Sequence, residues 1–438
     1  VTEAVLAQPW AGRAVRVGAA VGTAAAAFLA GLVLTAFVVG FANASPLALL
    51  ALPLAPLLGL LVVAAPTVGM VLVFLTFPIG TIDVPTGVFP LQAVEAAVLV
   101  IVAVVVVRRL AVGTLPLPWS PPLWWAVLLL GWTLLGLQSA IDENLAVRQV
   151  ASLFGGLLLC AALLAACRQM NDLRLVLGAF VAVSAGIAIA SFAGGVELQS
   201  AYGAQTVGGR LTGAFDHPNQ LGALCGLAAP TALGLAFGAR TRSGRWAAWC
   251  AFALICAALL FTLSRGAWVG TALALLFMLV ALPEARRAVA LLAVPAVIAA
   301  IFVTALAPVG GTEISVVGQR AGALTALSPY DDRPAIYREA IREIRADPLT
   351  GSGAGGFPVA SARAGSEVST ISAQHAHNLW LTWGAEAGIP AMIFILGFAI
   401  SLGLAARSAG RAFRRAGRLA DRAVTVGLAA ALLSVLGQ

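Results

Sequence analysis

The chain has 438 residues, of which 61% are Ala, Val, Ile, Leu, Met, Phe, Trp, Tyr or Cys and only 10% are charged. Soluble domains average roughly half apolar and a quarter charged, so this chain could not cover a water-facing surface, and a soluble enzyme is excluded. The net charge of +8 does not indicate a nucleic-acid binder. All 26 basic residues are Arg, with no Lys, and they sit in short stretches between apolar runs, the pattern of membrane topology signals.

A membrane helix needs about 20 mainly apolar residues. Such runs lie at 18–41, 47–64, 67–79, 88–107, 123–138, 149–167, 175–193, 219–238, 246–263, 267–282, 288–306, 377–405 and 423–438, with 67–79 and the last one short. The reading is an all-α polytopic membrane protein with about 12–14 transmembrane helices. Residues 1–438 form a single integral membrane domain within which 307–376 is one long loop. Ala42-Asn43-Ala44 has the small-x-small form of a leader cleavage site. The apolar run before it, about 25 residues, exceeds the 7–15 of a leader core, so the first span is expected to be retained. Cys160, Cys167, Cys225, Cys250 and Cys256 lie in or beside apolar runs without metal-ligand spacing, and read as packing residues. No GxxxxGK[ST] phosphate loop is present, which excludes a self-powered ATP pump.

Orientation follows from arginine. Arg13, Arg16, Arg108, Arg109, Arg168, Arg174, Arg240, Arg242, Arg245, Arg286, Arg287, Arg407, Arg411, Arg414, Arg415, Arg418 and Arg422 fall in loops that alternate along the spans, and these loops are therefore cytoplasmic. The 307–376 loop is then extracytoplasmic. It carries a helix signal: Pro334 suits a first turn, Asp332 favours its positive end, and Asp347-Pro348 closes it. Ile336, Tyr337, Ala340, Ile341 and Ile344 mark an apolar face, while Arg338, Arg342 and Arg345 share another. That is an amphipathic helix suited to a membrane surface, with Glu339 and Glu343 paired to neighbouring Arg, or a cationic face over an anionic ligand. Gly351, Gly353, Gly355 and Gly356 then predict a flexible turn.

The candidate site residues lie on the outer side. The three histidines, His217, His375 and His377, all fall there, and His is the commonest neutral-pH proton acceptor. His217 also suits a helix start beside Pro218-Asn219. A zinc set of the three His with Asp216 is conceivable, but its spacing matches no known ligand pattern. Arg210 and Arg265 sit close to apolar spans, where a charge is costly and a functional role is the default reading. The planar, always-charged guanidinium suits phosphate, against the plainer alternative of an arginine that snorkels or pairs with a carboxylate. Glu95, in the span from 88, is of the same kind.

Four blocks resemble the O-antigen ligase and O-antigen polymerase superfamily of membrane glycosyltransferases. They are RLTGAFDHPN from Arg210 to Asn219, LSRGAWVG from Leu263 to Gly270, RPAIYREAIREIRADPLTGSGAGGFP from Arg333 to Pro358, and HAHNLWLTWGAEAGIP from His375 to Pro390. The resemblance implies a helical fold whose outer loop caps a lipid-facing cavity. It implies transfer of a glycan from a polyprenyl (typically undecaprenyl) diphosphate carrier to a glycan, lipid or protein acceptor at the outer face of the bacterial inner membrane. Neither nucleic acid, cofactor nor catalytic metal is implied. Carried over, the diphosphate-binding arginines fall on Arg210 and Arg265, with Arg338 from the loop, and the catalytic histidine on His377 or His375. Asp216, His217, Asn219 and Glu95 stand as possible support. The blocks do not separate ligase from polymerase. The competing class is a transporter, such as a lipid-linked glycan flippase, which predicts charges near the bilayer midplane and pseudo-symmetric halves instead of charges gathered at one face.

Overall fold

A computed structural model describes residues 66–75, 83–84, 91–92, 98–99, 101–102, 105, 120–193, 200–202, 205–207, 210–213, 215, 217–283, 286, 333–363 and 376–436. The expected spans at 18–41, 47–64 and 288–306, most of that at 88–107, and the residues Glu95, Asp216, Asp332 and His375 lie outside them.

The described elements are helical apart from two short antiparallel ladders. In chain order they are α1 (Pro66–Leu75), β1 (Asp83–Val84), β2 (Leu91–Gln92), α2 (Pro121–Leu135) continued by a 3-10 turn (Gly136–Ser139), α3 (Glu143–Ala166) and α4 (Met170–Ala193). There follow β3 (Ser200–Tyr202), β4 (Gln205–Val207), α5 (Pro218–Phe237), α6 (Arg242–Phe261), α7 (Arg265–Ala281), α8 (Arg333–Ala346), α9 (Phe357–Arg363), α10 (Leu379–Arg415) and α11 (Leu419–Leu436). β1 pairs with β2 through Asp83 opposite Gln92, and β3 with β4 through Ala201 opposite Thr206. Among the described residues, seven helices are long and apolar enough to cross a membrane (α2 with its 3-10 turn, α3, α4, α5, α6, α10 and α11), and α7 is a shorter apolar helix. The protein is thus an all-α polytopic membrane protein.

Contacts divide the chain into two units. The first takes residues 1–120 and 152–179, and its core gathers Met70, Val73, Val98, Ile101, Ala162, Ala165 and Val176. The second takes residues 121–151 and 180–438 and holds every described site residue. At its centre stands α5, packed against α6, α7 and α11. Small residues let these helices approach, which is how helices associate where lipid removes the hydrophobic drive. A Cβ added at Gly234 of α5 would lie 2.8 Å from the Gly427 Cα of α11, and one at Gly222 would lie 3.0 Å from the Ser264 Cβ. Burial of α5 is correspondingly deep, with Leu221, Cys225, Ala228, Ala229, Ala232 and Leu233 sealed from solvent.

The apolar run expected at 377–405 is α10, and it differs in two ways. It extends to Arg415, for 37 residues, which at 1.5 Å each overshoots a hydrocarbon core of about 30 Å. It is also broken at Gly388, whose φ of 74° and ψ of −177° only glycine tolerates well. Pro390, two residues on, lacks the N–H that would close the turn. Other groups satisfy the main chain freed at the break. The Ile389 amide donates to the Pro348 carbonyl at 2.9 Å. The Trp132 indole of α2 donates to the Ala387 carbonyl at 2.9 Å, and the Ser352 amide to the Ala385 carbonyl at 2.9 Å.

The glycine segment expected to be a flexible turn is a packed one. Gly351, Ser352, Gly353, Ala354 and Gly356 are buried. Gly351, Gly353 and Gly355 adopt φ of 61°, 87° and 68°, and a Cβ on Gly351 would meet the Ala385 carbonyl at 2.4 Å. Glycine here permits close docking on α10, not looseness. The helix expected from Pro334 is α8. Ile336 and Ala340 are buried against Phe357, Ala376 and Ala385, but Ile341 is 39% exposed and Glu339 takes a buried place, paired with Arg342. The buried face of α8 is therefore turned toward Glu339 relative to the purely apolar stripe.

Candidate functional site

The site begins with a short segment that pins Arg210 against the turn between α6 and α7. The Leu211 amide donates to the Phe261 carbonyl at 2.9 Å. Arg210 itself is 2% exposed; its Nε donates to the Thr262 carbonyl at 2.9 Å and its Nη2 to Asn219 Oδ1 at 3.0 Å. Three residues after Thr262 comes Arg265, the first residue of α7. Arg210 and Arg265, 55 positions apart in sequence, are thus brought to the same turn, at the same ends of α6 and α7.

His217 caps α5: its Nδ1 accepts the Asn219 amide at 3.1 Å, while Pro218 occupies the first helical position. That bond leaves Nε2 as the protonated nitrogen of the neutral ring. Asn378 caps α10 in the same way, its Oδ1 accepting the amides of Trp380 and Leu381 at 3.0 and 3.1 Å. His377 precedes that cap, and its ring centroid lies 6.5 Å from that of His217, although 160 positions separate them.

A cavity of about 320 Å³ opens here. Asn219, Ser264, Gly266, Arg333, His377 and Asn378 line it, together with Thr382 and Trp383 of α10 and Val435 of α11. Each of the first six belongs to the start of a helix: α5, α7, α8 or α10. Four helix N-termini converge, each with a partial positive charge of roughly half a unit; His217 and Asn378 cap those of α5 and α10, while α7 has no side-chain cap. Added to Arg333, this makes a cavity suited to an anion of several oxygens, with a proton acceptor at its edge.

Of the expected residues among those described, only His377 and Asn219 line it; Arg210, Arg265 and His217 stand beside it without forming its wall. Arg338 is exposed on α8, its Nε directed at the Pro334 carbonyl at 3.4 Å, and it does not line the cavity. Arg333, the first residue of α8, does. Two contributors escape the sequence reading. Arg333 opens the RPAIYRE block, and its place before Pro334 at a helix start was the available signal. Glu386 is a carboxylate inside an apolar run, itself a signal; it is 3% exposed, and its Oε2 accepts the Gly355 amide at 3.0 Å, tying the glycine turn to α10. Glu95, Asp216 and His375 lie outside the described residues, and with them two members of the conceivable zinc set.

Comparison with known proteins bears on three of the four blocks, those from Leu263, Arg333 and His375. No curated protein matches the chain significantly. Residues 250–396, about a third of the chain, match the family described as O-antigen ligase. That stretch includes α7 with Arg265, α8 with Arg333, the glycine turn, His377 and the start of α10. Arg210 and His217 precede it, joined to it by the bond to Thr262 and the approach to His377. The matched region, and with it Arg265, Arg333 and His377, is similar to the family described as O-antigen ligase.

Proposed function

We propose that the protein transfers a glycan from a polyprenyl-diphosphate carrier to an acceptor hydroxyl at the outer face of the bacterial cytoplasmic membrane, without a metal ion. What supports this reading is the convergence of four helix N-termini and Arg333 on one cavity, with His377 at its edge. Arg333 in the cavity wall meets the diphosphate, and Arg265, between the lining residues Ser264 and Gly266, turns onto it once it is bound, with Arg210 behind. The acceptor oxygen bonds to the anomeric carbon as the bond from that carbon to the diphosphate oxygen breaks, and its electron pair leaves with the diphosphate. His377 takes the acceptor proton. Direct displacement inverts the anomeric centre.

Charge on the leaving diphosphate grows as the bond breaks. Fixed cations and helix N-termini out of water therefore stabilise the transition state more than the ground state. Proton removal by a placed base adds about 10²–10⁴-fold.

The test uses purified protein, a lipid-diphosphate glycan and an acceptor, with chelator present. His377→Ala should lose about 10²–10⁴-fold in turnover yet still bind donor. Arg265→Ala should lose donor binding, and Arg265→Lys should fail substantially because a point charge does not replace a planar fork. Wild-type activity should fall on acidification, since imidazolium cannot accept a proton. Undiminished turnover in His377→Ala, or a reaction stopped by chelator, would overturn the mechanism.

A further inference from the structure

The carboxy-terminal parts of α7 and α10 and most of α11 line a second cavity, an open groove of about 710 Å³. Its lining is divided by chemistry. Most of its length is apolar, with Phe277, Gly403 and Leu433 among the walls, while Arg407, Arg411, Arg414 and Arg422 line it toward one end. It follows α11 from Arg422 to Leu436, roughly 21 Å at 1.5 Å per residue, more than half of a hydrocarbon core of about 30 Å.

Two observations show that this groove wants an occupant. A Cβ added at Gly403 or Gly410, both in its wall, would meet nothing within 4 Å among the described residues. Arg407, Arg411 and Arg414, spaced four and three apart and so on one face of α10, form no hydrogen bond or ion pair with any described residue. Neighbouring arginines behave differently. Arg418 and Arg240 share the buried carboxylate of Asp421, and Arg422 donates to the Ala281 carbonyl. A need for positive charge at the cytoplasmic end explains arginine in the connection, but not three of them turned onto a glycine-walled apolar groove.

We propose that this groove binds an anionic phospholipid, its phosphate held by Arg407, Arg411 and Arg414 and its acyl chains lying against Gly403 and Leu433. Basic pockets between membrane helices on the cytoplasmic side favour such headgroups. The chain's own following segment is a poorer occupant. Residues 287–306 are apolar, begin with Arg287 and contain no acid, so they would add positive charge to the arginines instead of neutralising them.

The full-length protein, in a neutral detergent, is titrated with phosphatidylglycerol or phosphatidylcholine, bound lipid is counted by native mass spectrometry, and melting is followed in parallel. Wild type should hold phosphatidylglycerol in preference to phosphatidylcholine. Arg407→Gln/Arg411→Gln/Arg414→Gln should weaken that binding at least about tenfold. Gly403→Trp, which fills the groove and leaves every charge, should weaken it as much without lowering the melting temperature. Arg242→Gln/Arg245→Gln/Arg415→Gln removes as many charges away from the groove and should bind as wild type. Equal loss in that control would show diffuse surface attraction and overturn the proposal. Full binding by Gly403→Trp would also overturn it, and so would a large drop in its melting temperature, which would mean that the chain itself fills the groove.

Discussion

Leu263 and His377 adopt φ of 53° and 52° without being glycine. Each conformation costs about 1–3 kcal/mol and persists only where the surroundings over-determine it. Both precede a helix cap at the cavity, Ser264 of α7 and Asn378 of α10. For His377 the restraint is Asn378, which holds two amides of the first turn, so that the chain must bend sharply just before it. Asn378→Ala should cost about 1 kcal/mol of stability as a lost cap. It should also lower turnover more than donor binding, because the base is no longer aimed. Asn378→Asp or Asn378→Ser, which cap as well, should restore both. Equal losses in kcat and donor affinity, or no rescue, would make Asn378 a plain structural cap.

At the scale of elements, the site depends on how the 347–356 turn docks on the broken α10. Gly388→Ala should be severe, because φ is 74° there and the new Cβ would lie 2.1 Å from the Leu349 carbonyl. The backbone conformation alone costs about 1–3 kcal/mol. Gly131→Ala, in open surroundings within α2, should change the melting temperature little or raise it. The turn also brings a titration. The amide and hydroxyl of Thr350 bond to Asp347 and hold its carboxyl below the usual carboxylate range. A depressed folded-state pKa stabilises the fold fully above the unfolded value of about 3.9 and stops doing so as pH falls through the folded one. Melting of wild type should therefore decline more steeply below about pH 4 than that of Asp347→Asn, and parallel curves would remove the turn from the acid response.

Over the whole molecule, hydropathy made much of the architecture readable. The runs at 123–138, 149–167, 175–193, 219–238, 246–263 and 267–282 correspond to α2 through α7, although α3 and α4 start earlier, at Glu143 and Met170, because a lipid-facing helix must be apolar along most of its length but its first turn need not be. The break in α10 was not read, since a run of apolar residues looks the same straight or kinked; Gly388 and Pro390 together were the local sign. Spacing placed Arg338, Arg342 and Arg345 on one face of α8, but which face turns to the cavity is set by Ile336 and Ala340 packing on other segments. For that reason Arg333 could not be preferred to Arg338 in advance. Orientation is open to a direct check. In a cysteine-free background, Leu349→Cys, at an exposed position in the glycine turn's approach, should react with an impermeant maleimide in intact cells. Leu419→Cys, exposed between α10 and α11, should react only after permeabilisation. The opposite pattern would place the cavity in the cytoplasm and end the proposed mechanism.

The contacts that fasten the start of α10 carry a consequence for how such a chain can diverge. The Ile389 amide bonds to the Pro348 carbonyl and the Ser352 amide to the Ala385 carbonyl, main chain to main chain, so neither bond depends on which side chains the residues bear. Drift at Leu349, Thr350 or Ile389 can proceed while His377 keeps its address, whereas Gly351 and Gly388, where a single added carbon meets a carbonyl, cannot drift at all. In a saturation library selected for function, the tolerated positions and the two forbidden ones should therefore alternate within a few residues of each other, and a region that looks unrelated by letter can be the same joint.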